Sequence, residues 1–117
     1  MASATEPLPL AINDESLSRL KALRAEQKFL DLPGEPAAEE RRRLEPLMNA
    51  LLDRLIDGVT AHPTDVWVIE QMDSTVEAFY LEDTEARERC LIYLERIFQI
   101  LRIPNDRGAF RKYMIFW

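Results

Sequence analysis

Apolar residues recur at three- and four-residue spacing in four successive blocks, and this pattern restricts the chain to amphipathic helices packed on one another. The first block holds Leu17, Leu20, Leu23 and Leu30, with Phe29 adjoining; Asp14 is the expected cap, and the helix is predicted over 14–30. Asp31-Leu32-Pro33-Gly34 closes it, since proline and glycine both break a helical period. The second block opens near Pro36 and carries Leu44, Leu47/Met48, Leu51/Leu52, Leu55/Ile56 and Val59. Pro46 lies inside it, where a missing N–H predicts a kink or a break. Gly58 to Pro63 end it.

Thr64 is placed to cap a third helix whose inner face is Ile69, Met72, Val76 and Phe79/Tyr80. Val66 to Ile69 are β-branched or aromatic, but the helical spacing continues to Phe79 and outweighs a strand. Asp83 or Thr84 caps a fourth helix with the stripe Cys90, Leu91, Leu94, Ile97/Phe98 and Leu101, stopped by Pro104. The expected fold is all-α: a four-helix-bundle-like single domain over 14–117 with a short aromatic C-terminal segment. The core is expected at Leu20, Leu23, Leu47, Leu51, Leu55, Ile69, Met72, Val76, Leu94, Ile97 and Leu101. Residues 1–13 read as a flexible arm, because Pro7 and Pro9 forbid a helix, although Leu8, Leu10 and Ile12 could dock on the body.

The net charge of −6 disfavours nucleic acid and anionic membrane as partners, and no apolar run reaches the length of a membrane span or a signal peptide. Charge is distributed unevenly. Between Arg54 and Arg87 there is no Lys or Arg, while Asp57, Asp65, Glu70, Asp73, Glu77, Glu82, Asp83 and Glu85 contribute −8. From Arg87 onward seven basic residues face three acids. A lone cysteine, Cys90, rules out an internal disulfide and a Cys-based zinc site, and on the fourth stripe it reads as a small core hydrophobe. A reducing cytoplasm is the expected compartment.

His62 is the single histidine, so catalytic triads and multi-histidine metal sites have no residues to use. Near a helix end it suits interaction with exposed carbonyls. Arg41-Arg42-Arg43 point around a helix axis rather than along one stripe, as a solvated surface would. Paired carboxylates are the feature closest to enzyme chemistry. Glu70 and Asp73 share a helix face, and Asp53 and Asp57 lie one turn apart on the preceding helix, where facing carboxylates could hold Mg²⁺. This layout is similar to the all-α nucleoside triphosphate pyrophosphatases, which pair Glu-x-x-Glu with a later Glu-x-x-Asp. Glu70 and Asp73 match that pattern; Asp53 and Asp57 depart from it in spacing and side-chain length.

Phe110, Tyr113/Met114 and Trp117 recur at helical spacing beside Arg107, Arg111 and Lys112. Such a segment either closes the bundle or docks a partner, and the candidate partner-binding set is Phe110, Arg111, Tyr113, Met114 and Trp117. The stretch Leu81-Glu82-Asp83-Thr84-Glu85-Ala86-Arg87-Glu88-Arg89-Cys90, with the hydrophobic helix and aromatic C-terminus after it, resembles a family of small bacterial helical proteins known as domain of unknown function 4844. The resemblance implies an all-α fold and a bacterial origin, and brings no site residues. Taken together, the residues point to a small acidic cytoplasmic protein that acts by contact with another protein or a second copy of itself, as an immunity or regulatory protein does, with no cofactor. The alternative is a Mg²⁺-dependent nucleotide phosphohydrolase using Glu70, Asp73, Asp53 and Asp57.

Overall fold

The computed structural model describes residues 6–29, 38–82 and 84–110. Four helices follow in order: α1 (Asp14–Ala25), α2 (Ala38–Gly58), α3 (Asp65–Tyr80) and α4 (Thr84–Leu101). Each packs on the next, and α4 returns against α1, so the four stripes close around one core. No strand forms among the described residues; Pro9 and Thr64 make an isolated antiparallel bridge. The expected all-α bundle is the fold observed. Of the expected core residues Leu47 alone is only partly buried; Leu44, Met48, Leu51, Leu52 and Leu55 fill the inner face of α2.

The caps explain where the helices begin and end. Asn13, rather than Asp14, caps α1: its side chain accepts the Ser16 N–H at 2.9 Å. Thr64 caps α3 as expected, accepting from the Trp67 N–H at 3.2 Å. The prediction of a first helix through Leu30 is corrected, because α1 stops at Ala25. There the Lys28 ammonium folds back onto the helix end and donates to the carbonyls of Arg24 (3.1 Å) and Glu26 (2.9 Å), satisfying oxygens that the helix leaves unpaired. Phe29 then adopts φ 65° and turns its ring into the core, against Phe79 at 6.0 Å and edge-on to Tyr93 at 4.9 Å. Its N–H donates to the Tyr93 hydroxyl at 2.8 Å.

Helix α2 runs through Pro46 without a break; the ring sits on the exposed side, where the Arg42 carbonyl left unpaired can turn to water. Helix α4 ends in a Schellman turn. The Ile103 N–H donates to Phe98 O at 2.8 Å, the Arg102 N–H to Gln99 O at 3.3 Å, and Arg102 takes φ 59°. Phe98 and Ile103, the pair such a turn brings together, are both buried. Beyond it Asp106 acts as a small cap: its carboxylate accepts the N–H groups of Gly108 (2.8 Å) and Phe110 (3.1 Å), and the Phe110 ring is fully buried.

The N-terminal stretch, read as a flexible arm, is fastened to the body over residues 6–12. Leu10 is buried, its N–H donates to Pro63 O at 2.7 Å, and Ile12 packs on the core. Leu8 and Asp65 exchange two bonds, Leu8 N–H to the Asp65 carboxylate at 2.7 Å and Asp65 N–H to Leu8 O at 3.1 Å.

Candidate functional site

Helix α3 contains no Lys or Arg, and its solvent side is acidic. Val68, Ile69, Met72, Thr75, Val76 and Phe79 point inward, which by the 3.6-residue period leaves Glu70, Ser74 and Glu77 exposed along one line, with Asp73 half-buried beside them. The line runs out at Tyr80 and Leu81, where Leu81 is 80% exposed. This apolar side chain sits on a fixed turn. The Leu81 and Glu82 N–H groups both return to Phe79 O, and the Glu82 carboxylate takes two bonds from the Arg43 guanidinium, at 3.2 and 2.7 Å. The Arg87 guanidinium stands 5.2 Å over the Tyr80 ring. The acidic face of α3 thus ends in an exposed leucine beside the Arg43–Glu82 pair.

The carboxylates considered for Mg²⁺ differ in their surroundings, Asp73 being half-buried on α3. Asp53 is engaged by Arg24, at 2.8 and 3.4 Å, while Asp57 and Glu70 are exposed. Among the described residues no group of three or more His, Cys, Asp or Glu side chains comes together to hold a metal ion. Between α2 and α3 it is Arg54 that crosses, donating to Gln71 O (2.8 Å) and the Thr75 hydroxyl (3.2 Å).

The other sequence candidates take structural positions. Cys90 is fully buried, and burial pushes its thiol far above the ordinary value, so it is a core residue and not a nucleophile. His62 stacks on the Trp67 indole, centroids 5.3 Å apart. Arg43 is spent on Glu82, and Arg42 faces solvent. Of the aromatic segment, Phe110 belongs to the core, and Arg111, Tyr113, Met114 and Trp117 lie outside the described residues.

A shallow groove of about 200 Å³ lies between α1 and α4, floored by Leu23 and Ile100 and bridged by a bidentate Arg96–Glu26 pair at 3.0 and 2.7 Å. Pockets that enclose small ligands run to roughly 300–1,000 Å³, so this groove is a seam between helices.

Two features escaped sequence reasoning. Leu81 follows the last helical turn and carries no signal distinguishing it from a buried cap residue. Asp65 is buried, and its carboxylate takes Nε of Arg107 at 2.6 Å as well as the Leu8 N–H. Burial alone would raise the Asp65 carboxyl; the Arg107 guanidinium and the Leu8 N–H overcome that and hold it below the usual carboxylate value.

A profile of the family described as Domain of unknown function (DUF4844) matches residues 11–115, nearly the whole chain. Comparison with curated proteins and with solved structures returned no match.

Proposed function

The chain belongs to the DUF4844 family, and we propose that it is a non-enzymatic bacterial protein, an immunity or regulatory protein, that binds a basic partner protein through the outer face of α3. The observation that carries this reading is the cation-free α3 line of Glu70, Ser74 and Glu77 leading to the pinned, exposed Leu81. Carboxylates spread along a helix steer a basic partner and fix its approach, and an apolar side chain on a rigid turn gives the contact a dry centre. Proteins that grip phosphate backbones carry basic surfaces of the kind this face complements. The buried thiol of Cys90 suits a reducing cytoplasm.

The test is affinity capture from the native cell with the wild-type chain and with two variants, Glu70→Lys/Glu77→Lys and Leu81→Ser. All three should melt alike, since the changed side chains are exposed. The captured partner should be basic, should elute as salt rises, and should be lost from both variants. Retention of the same partner by the charge-reversed chain would refute α3 as the contact face. Millimolar Mg²⁺ should leave Tm unchanged. Stabilisation of about 2.7 kcal/mol at a hundredfold excess over Kd, removed by Glu70→Gln or Asp73→Asn, would instead show a metal site and favour a metal-dependent phosphohydrolase over this reading.

A further inference from the structure

The segments 6–10 and 106–110 meet on one buried carboxylate, that of Asp65. On the N-terminal side the Asp65 carboxylate accepts the Leu8 N–H at 2.7 Å, and the backbone adds Asp65 N–H to Leu8 O and Leu10 N–H to Pro63 O. On the C-terminal side it accepts Nε of Arg107 at 2.6 Å and Nη2 at 3.4 Å. The triangle is closed by Arg107 itself, whose Nη2 donates to Glu6 O at 2.5 Å. Arg107 holds φ 55°, a backbone that costs a non-glycine residue free energy and persists because the structure around it holds it, the Arg107 N–H on Asn105 Oδ1 at 2.9 Å and its guanidinium on Asp65. Each end also carries an apolar anchor a few residues from the clasp, Leu10 and Phe110, both buried.

Neither end can leave without weakening the other. If Arg107 swings out, the Asp65 carboxylate is left under the arm without its counter-charge, a situation that water relieves only by displacing the arm. If the arm lifts, Arg107 loses the Glu6 carbonyl and its pair with Asp65 becomes solvated, which reduces it to the small worth of a surface ion pair. We propose that residues 6–10 and 106–110 are a single latch that opens as one unit about Asp65, so that a partner drawing the N-terminal arm off the bundle releases, in the same step, the segment anchored by Phe110.

Native-state hydrogen exchange followed amide by amide tests this on the intact chain. In the wild type, the Leu10 and Phe110 amides should open with the same free energy and the same dependence on urea, distinct from core amides such as those of Leu51 and Leu94. Asp65→Asn keeps the size and the acceptor for Leu8 but removes the charge; Arg107→Gln removes the cation. Each should speed exchange at Leu10 and at Phe110 by the same factor, roughly tenfold or more, with the core amides unmoved. A variant that loosens one end and leaves the other protected would overturn the latch. So would wild-type amides with unlike urea dependences, and that measurement requires no variant to fold.

Discussion

Gly58 occupies a place where a single methyl group has no room. A Cβ there would stand 2.6 Å from both Cη2 and Cζ2 of Trp67, and that ring is rigid and stacked on His62. In an open helix, alanine would be favoured over glycine by about 1 kcal/mol. Here Gly58→Ala should instead lose about 1–3 kcal/mol, because the end of α2 must move off α3, and urea unfolding would measure it. The opposite holds at Arg102. Its φ of 59° in the Schellman turn is the conformation glycine takes without a steric cost, and among the described residues Arg102 makes no ion pair that opposes the change. Arg102→Gly should raise stability by about 0.5–1 kcal/mol in the same experiment.

At the scale of the elements, the junction after α1 depends on Tyr93 of α4. Its hydroxyl accepts the Phe29 N–H in the core, and Tyr93→Phe would leave that donor buried without a partner. The expected loss is about 1–3 kcal/mol by chemical denaturation, with the helix content of the folded state unchanged. Helix α3 was legible in the sequence because its stripe, cap and stop agree, Thr64 to Phe79, and α4 because its stripe and stop do, Cys90 to Leu101 before Pro104, while its expected cap Asp83 lies outside the described residues. The end of α1 was not, since Phe29 and Leu30 continue the period that Ala25 ends. The helix stops where Glu26 turns to extended backbone and the Lys28 ammonium folds onto the last carbonyls, and neither is written in hydrophobic spacing. The same holds for the candidate face. The acidic charge of α3 is visible in composition, but the pinning of Leu81 depends on Arg43, a residue of another helix. The Asp65 clasp joins residues 57 and 42 positions away in the chain, beyond any local pattern.

Over the whole molecule, acid sensitivity should report on that clasp. The Asp65 carboxyl titrates below its ordinary value in the folded chain, so its contribution is fully present above the unfolded value and is lost as pH falls through the folded one. The stability gap between wild type and Asp65→Asn should therefore stay constant from neutral pH to about pH 5 and narrow below about pH 4. Denaturant melts of both proteins across that range would show a flat gap if the clasp contributed nothing. The lysine inventory of the fold gives it a timing device. Lys21 stands in solvent, whereas Lys28 is completely enclosed and burial lowers the affinity of its amine for a proton. An amine-acylating reagent should modify Lys21 at once and reach Lys28 only when the α1 end comes apart. The rate of acylation at Lys28, read by mass spectrometry, is thus a native clock for how often the end of α1 opens, with no label introduced by design.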